Sequence, residues 1–292
     1  MTSIDHRHLE QHIGDVDPLQ GRERALVRIL SGHERIVVAY SGGVDSAYLL
    51  AVAAEVLGDR AVAATAVSPS LPADERAQAA DVAAHLGVRH VEVATDEADR
   101  PAYRRNDGDR CFHCKSALFD MLEPLAARFD GAVIAVGTVI DDLGDHRPGQ
   151  RAAAERGVTT PLADAGLSKA DVRALSRRRG LPTWDKPAAA CLASRVVYGL
   201  EVTPSRLSRI EQAETWLRQR LGAHADLRVR DHGEIARVEV DRSLLGRTAE
   251  LADELQVLLA DLGWTYATLD LAGFRSGSLN ATLTSQFPQT QA

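Results

Sequence analysis

Arg35-Ile36-Val37-Val38-Ala39-Tyr40-Ser41-Gly42-Gly43-Val44-Asp45-Ser46 is the stretch that decides the fold of this 292-residue chain. A Val/Ile strand that ends in Ser-Gly-Gly, with Asp-Ser opening a helical pattern, aims several free backbone N–H groups and a helix N-terminus at one point. The two glycines let the backbone turn sharply and approach a ligand, Ser41 and Ser46 add hydroxyl donors, and Asp45 can meet a magnesium ion or a ligand donor. That is the chemistry of a nucleotide pyrophosphate site. The letters fit neither the Walker loop, which needs Gly-Lys-Ser/Thr, nor the dinucleotide Gly-x-Gly-x-x-Gly. The plain alternative is an ordinary turn with Asp45 as a helix cap. At about 7% usage per residue type, such a six-residue string arises by chance with probability on the order of 10⁻⁵.

Outward from this stretch, apolar runs at 36–40, 61–67, 89–93 and 132–136 alternate with amphipathic stretches at 45–57, 73–86 and 114–129. The alternation predicts an α/β fold with a parallel sheet and crossover helices. Ligands of such sheets lie beyond the C-terminal ends of the strands, so the turn at 41–46 is well placed and 65–68 is within reach of an adenine. An Asp- and Gly-rich stretch follows at 138–149, then a helix capped by Ser168 and stopped by Gly180 and Pro182. Its Arg177-Arg178-Arg179 run reads as a basic last turn complementing the helix dipole rather than as an RNA contact. From Thr203 the pattern becomes helix (204–221), strand (226–230), strand (235–240), helix (244–262) and strand (265–271), a small α+β unit. Two domains are expected, 1–200 and 201–292, with the last dozen residues disordered.

The net charge is −7 with both signs interspersed, so the general field does not attract polyanions and no nucleic-acid partner is expected. No run of eighteen apolar residues occurs, and the N-terminal twenty residues are polar, which points to a cytoplasmic protein without a membrane partner. Three cysteines are too few for a disulfide scaffold and fit a reducing compartment where thiols serve chemistry or metals.

Cys111-Phe112-His113-Cys114 is a CxxC, and Cys191 lies far along the chain. All three fall in segments that read as loops or helix starts, although free cysteine is also a common small core residue. A redox pair would leave Cys191 without a role. A structural zinc wants four protein ligands, which His113 or another residue would have to complete. Three thiolates on a [4Fe–4S] cluster leave one iron open for an exogenous sulfide.

Ser-Gly-Gly-Val-Asp-Ser after a hydrophobic strand resembles the PP-loop of the ATP pyrophosphatases, whose domain is of the adenine nucleotide alpha hydrolase-like kind. The resemblance implies cleavage of ATP to AMP and pyrophosphate, with Mg²⁺, to activate a carboxylate or carbonyl oxygen toward nitrogen or sulfur. A closer resemblance is carried by Asp109-Arg110-Cys111-Phe112-His113-Cys114-Lys115, by Gly137-Thr138 with Asp141-Asp142 and Asp145-His146-Arg147-Pro148-Gly149, and by Leu181-Pro182-Thr183-Trp184-Asp185-Lys186-Pro187 leading into Ala190-Cys191-Leu192-Ala193-Ser194-Arg195. Gly273-Phe274-Arg275-Ser276-Gly277-Ser278-Leu279-Asn280 extends it nearly to the C-terminus. These segments are similar to the LarE family of ATP-dependent sulfur transferases, which sulfurate a pyridinium dicarboxylate mononucleotide in biosynthesis of the nickel-pincer nucleotide, the cofactor of lactate racemase.

The resemblance implies that Ser41, Gly42, Gly43, Asp45 and Ser46 hold ATP while the substrate carboxylate attacks the α-phosphorus, after which sulfur displaces AMP. In one branch of the family the cysteine matched by Cys191 is consumed and left as dehydroalanine. In the other, three cysteines bind a cluster whose extra sulfide is transferred. The presence of Cys111 and Cys114 beside Cys191 favours the cluster branch. Arg195, Arg228 and Arg230 suit the substrate's phosphate and carboxylates, with Arg228 and Arg230 on one strand face, and Arg110, Lys115, Arg147 and Lys186 lie in the motif segments. A homo-oligomer acting on a small-molecule nucleotide is expected, with its sulfide source open. The rival readings are a tRNA thiolase, an amidating ligase and, outside enzymes, a nucleotide-binding sensor.

Overall fold

The computed structural model describes residues 17–143, 148–187, 190–223, 225–275 and 277–279. Arg147 and the last dozen residues lie outside them, as do Asp145, His146, Ala188, Ala189, Ser276 and Asn280.

Helix α1 (Pro18–Ser31) starts behind Asp17, whose carboxylate accepts the Leu19 amide at 3.1 Å, with proline in the first turn where no donor is needed. Then come β1 (Ile36–Ala39), α2 (Val44–Leu57), β2 (Ala61–Val67), α3 (Ala73–His85), β3 (Arg89–Ala94), α4 (Pro101–Arg104), α5 (Arg110–Arg128) and β4 (Val133–Val136). The four strands form one parallel sheet in the order β3-β2-β1-β4, as the alternating pattern predicts. Side chains alternate across it. Ile36, Val38, Ala61 and Ala63 enter one core with α1, α2 and α3, whereas Val37, Val62 and Ala64 enter another with Leu118, Phe119 and Leu122 of α5. Burial on both faces explains why these strands read as near-continuous apolar runs.

Chain order reverses at β1, with β2 on one side and β4 on the other. The Ser41–Ser46 turn therefore opens at the switch point of the sheet, where the crossover helices diverge and leave a crevice. Beyond β4 the chain passes through α6 (Ile140–Leu143), α7 (Pro148–Ala154), α8 (Pro161–Asp164) and α9 (Lys169–Arg178). Ser168 caps α9 in a reciprocal capping box with Asp171. The arginines at its end are occupied within the chain: Arg177 stacks over Trp184, Arg178 pairs with Asp17, and Arg179 pairs with Glu23 and Glu55.

A short 3₁₀ turn (Leu192–Arg195) leads toward α10 (Pro204–Leu221), β5 (Leu227–Asp231), β6 (Ile235–Val240), α11 (Leu245–Glu250), α12 (Ala252–Asp261) and β7 (Tyr266–Leu269). Here β5 and β6 form an antiparallel hairpin and β7 adds parallel to β6. Their core takes in Tyr103, Leu192, Ala193 and Val196 from earlier in the chain together with Ile210, Leu217, Val229 and Val238. No helix among the described residues is long and apolar enough to cross a membrane.

Two helices differ from the sequence reading. The helix expected from residue 114 begins at Arg110, because the Asp109 carbonyl accepts the Phe112 amide at 2.8 Å and so starts the turn early. The helix expected over 244–262 is broken at Leu251 into α11 and α12, with no glycine or proline to mark it.

Gly137 fixes how closely β4 approaches the phosphate turn. A Cβ on it would lie 2.8 Å from the Ser46 amide nitrogen and 3.0 Å from the Asp45 carbonyl carbon, both backbone atoms that cannot swing aside. Gly137→Ala is expected to cost about 1–3 kcal/mol, the usual range for overpacking. Chemical denaturation measures it, and an unchanged midpoint would mean that β4 and α2 are not in this contact.

Candidate active site

The phosphate turn is built from its own hydroxyls. Ser46 Oγ accepts the Ser41 amide at 3.2 Å and donates to the Gly43 carbonyl at 3.2 Å, while Ser41 Oγ lies 3.4 Å from the Gly43 amide. Gly42 adopts φ +71°, and a Cβ there would meet Ala79 Cβ of α3 at 2.9 Å, so both backbone hand and packing require glycine. No side chain caps α2, whose N-cap is Gly43, which leaves its first-turn amides directed at the crevice.

Asp45 is the acidic group of the turn. Lys169 Nζ donates to its Oδ2, whereas Oδ1 is buried with no hydrogen-bond partner among the described residues. Burial raises the Asp45 carboxyl above its ordinary range, and the bond and charge of Lys169 oppose that rise. A buried carboxylate oxygen without a donor is suited to a hard cation, so the residues fit Mg²⁺. Lys169 went unnoticed in the sequence reading. A signal was present: a lysine in the first turn of α9 opposes the helix dipole, which is tolerable when a carboxylate from elsewhere holds it. Lys186, which was singled out, reaches the same turn. Its Nζ donates to the Gly42 carbonyl at 3.2 Å and to Glu75 at 2.7 Å.

The thiols gather at the junction of the two layers. Cys111 is exposed in the first turn of α5, and Cys114 and Cys191 are partly buried against the C-terminal core beside Tyr103 and Leu192. The Leu192 amide donates to the Ser70 carbonyl at 2.9 Å, which ties the Cys191 segment to the loop beyond β2. Burial, aided by the nearby Cys191 and the Glu97 carboxylate, pushes the Cys114 thiol up to about 12. Glu97 itself is buried and accepts the Ser70 hydroxyl at 3.1 Å. Around Arg110, burial works against the charge, and the negative charge that Cys191, Cys111, Tyr198 and Tyr103 carry when ionised outweighs it, leaving the guanidinium above its usual value. Three sulfur donors of the right kind for an iron–sulfur cluster are thus within electrostatic reach of one another. No three His, Cys, Asp or Glu side chains among the described residues are grouped to hold a single metal ion.

The arginines separate into two groups. Arg195 is buried against Glu214 at 3.0 Å, and Arg230 against Glu239 at 2.8 Å. Arg228 lies on the same face of β5 as Arg230 but has no carboxylate in contact among the described residues. It donates to its neighbour's carbonyl and lies 5.1 Å from the Phe274 ring. Burial first, and then the crowd of Arg195, Arg218 and Arg230, depress it to about 10 despite the attraction of Glu214. Lys115 is exposed on α5 with its stem against Gly149.

The asparagine synthase family model matches residues 23–106, a span that runs from α1 through the phosphate turn and β3. An uncharacterized protein of Synechocystis sp. is 45% identical over 86% of this chain and 94% of its own length. The pyridinium-3,5-bisthiocarboxylic acid mononucleotide synthase of Lactiplantibacillus plantarum is 35% identical over 91% of this chain and 96% of its own length. The chain belongs to the LarE family. It is an ATP-dependent sulfurtransferase of the PP-loop kind. An uncharacterized protein of Methanocaldococcus jannaschii, 26% identical over 84% of this chain and 92% of its own length, is a more distant likeness.

The thiols themselves can be ranked. Burial holds Cys114 as the unreactive thiol at pH 8, and its sulfur is partly covered. Iodoacetamide is expected to label exposed Cys111 at least tenfold faster than Cys114, read by peptide mass mapping. Equal rates would mean that Cys114 is not in the apolar setting described.

Proposed function

We propose that this chain adenylates a carboxylate of pyridinium-3,5-dicarboxylic acid mononucleotide and converts it to a thiocarboxylate. The observation that carries the reading is the path of a single segment. Lys186 touches the phosphate turn at the Gly42 carbonyl, Cys191 follows, and Ala193 is bonded to Arg110 beside the CxxC. That continuity supports sulfur chemistry beside the nucleotide turn. The named activity of the Lactiplantibacillus plantarum relative supports the substrate class.

In this reading the α2 amides, Ser41, Gly42, Gly43 and Ser46 receive the ATP phosphates, and Asp45 holds Mg²⁺ through its unpartnered oxygen. Lys169 and Lys186 exchange their present partners for the β- and γ-phosphates. The substrate carboxylate oxygen attacks the α-phosphorus, the bond to the bridging oxygen breaks, and pyrophosphate leaves with its charge balanced by the two lysines. Arg228 receives the substrate's phosphate. An anion there relieves the repulsion that its arginine neighbours impose, and a guanidinium offers it two parallel donors. Arg195 and Arg230, already engaged with Glu214 and Glu239, shape the pocket around it.

Sulfur then displaces AMP from the acyl carbon. A [4Fe–4S] cluster held by Cys111, Cys114 and Cys191 supplies, when bound, an open iron that carries a sulfide for transfer. The alternative donor is Cys191 itself. Its sulfur attacks the acyl carbon with loss of AMP, and elimination across its Cα–Cβ bond releases the thiocarboxylate and leaves dehydroalanine. The CxxC beside Cys191 favours the first source, since a single-use cysteine has no need of two further thiols.

Anaerobic iron and sulfide analysis, with intact mass before and after incubation with ATP, Mg²⁺ and the mononucleotide, tests the whole reading. Iron on the chain, pyrophosphate release that requires the mononucleotide, and an unchanged polypeptide mass are expected. A mass loss of one H₂S without iron replaces the cluster by Cys191 as donor, and no pyrophosphate at all sinks the substrate assignment. Lys169→Met is expected to slow pyrophosphate formation about 10²-fold, the usual scale for one preorganised charge contact. Arg228→Met is expected to raise the mononucleotide KM at least tenfold and leave the ATP KM near its original value.

A further inference from the structure

Asn106 is fully buried and holds φ +59°, a left-handed conformation that glycine would adopt more freely. What asparagine adds is an amide side chain, and every part of that amide is in use. Its Nδ2 faces three carbonyl oxygens, those of Val196 at 3.3 Å, Val197 at 2.8 Å and Leu200 at 3.0 Å. Its Oδ1 accepts Arg110 Nη1, and its own carbonyl accepts the Gly199 amide at 3.2 Å. Arg110, also buried, sends the same Nη1 on to the Ala193 carbonyl at 2.9 Å and lies 5.7 Å from the Tyr198 ring. All of these contacts except the Asn106–Arg110 bond cross from the start of α5 and the turn before it to the segment that follows Cys191, more than 80 residues away in sequence.

We infer that Asn106 and Arg110 are a positioning pair, a buried polar clamp that sets the distance between the CxxC at the start of α5 and the Cys191 segment. Both ends of the clamp are next to the thiols. Arg110 is the residue before Cys111, and Ala193 is two residues past Cys191. The sequence reading has Arg110 as a substrate ligand. In the free protein its guanidinium bonds to Asn106 and to the Cys191 segment. The Cys191 turn is also held from its other side, by the Leu192 bond to Ser70 and by Arg195 Nη1 on the Cys191 carbonyl, but neither of those contacts reaches α5. The N-terminal side of α5 offers no capping side chain, and the 3₁₀ turn after Cys191 is too short to fix its own orientation. Unpaired carbonyls in so buried a place would be costly, so three of them facing one amide define a single seated position for the segment. This inference gives a role in sulfur delivery only in so far as the proposed function holds, but the distance it concerns belongs to the free protein.

Dibromobimane, a short bifunctional thiol reagent, reads that distance with no ATP or substrate present. In the wild-type chain it is expected to bridge Cys191 to Cys114 or Cys111, found by peptide mass mapping. Asn106→Gly keeps the backbone conformation and removes every side-chain bond. It is expected to lower the bridged yield at least fivefold while monofunctional labelling of the same thiols does not fall. Substrate-dependent sulfur transfer is then expected to fall with the mononucleotide KM and pyrophosphate release unchanged. A folded Asn106→Gly chain that bridges like wild type overturns the inference, as does a raised mononucleotide KM with bridging intact. Should that variant not fold, Arg110→Lys decides, because it spares Asn106's bonds to Val196, Val197 and Leu200 and removes the guanidinium that joins Asn106 Oδ1 to the Ala193 carbonyl. A drop in bridging supports the clamp, and an unchanged yield overturns it.

Discussion

The Ser41–Ser46 turn can present amide hydrogens and hydroxyls but no cation, and that shortage of positive charge organises the site around it. A Walker-type loop carries its own lysine. Here positive charge comes from Lys169 on α9 and Lys186 beyond it, each more than a hundred residues later in sequence. Both are held in place by carboxylates, Asp45 and Glu75, so the free site is close to electrically neutral before a nucleotide enters. Exchanging those partners for phosphate oxygens costs little solvation, because the lysines are already partly out of water. Gly137 packs directly on the α2 backbone at Asp45 and Ser46, at the same turn.

A different electrostatic strategy governs the C-terminal layer. Arg195 with Glu214, Arg206 and Arg209 with Asp231, and Arg230 with Glu239 are ion pairs in which the carboxylate is essentially inaccessible. Removing such charges from water offsets most of their attraction, so these pairs are better understood as fixing orientation than as a store of stability. Their partner hydrogen bonds bear this out. Glu214 also accepts the Val229 amide at 3.1 Å, and Asp231 also accepts the Gly233 amide at 2.9 Å, leaving few lone pairs unused. Arg228 has no such partner among the described residues, and its depressed value follows first from burial and then from the guanidinium groups around it, whose carboxylates are already taken.

The parallel sheet and the nucleotide turn were legible because their cause is local. Alternating cores on both faces of β1 and β2 force continuous apolar runs, and a turn that must bind an anion with backbone needs glycine at Gly42. The hairpin of β5 and β6 was legible for the same reason. Lys169 was missed because its partner Asp45 is 124 residues away and only tertiary packing joins them. The arginines could be named from motif position, but whether each was committed to a carboxylate depended on Glu214 and Glu239, which nothing nearby in sequence pairs with them. The break at Leu251 had no local marker and arises where α11 and α12 pack separately around the β6–β7 crossover.

The parallel addition of β7 to β6 orders the assembly of the molecule in time. A parallel neighbour cannot be made by a tight hairpin, and α11 and α12 intervene before β7 can pair. During synthesis from the N-terminus, the four strands that carry the nucleotide turn are complete by Val136, whereas the sheet behind the Cys191 segment lacks its last strand until Leu269. Chain topology therefore finishes the sheet that carries the nucleotide turn first and leaves the sheet behind the Cys191 segment to the final stretch of the polypeptide.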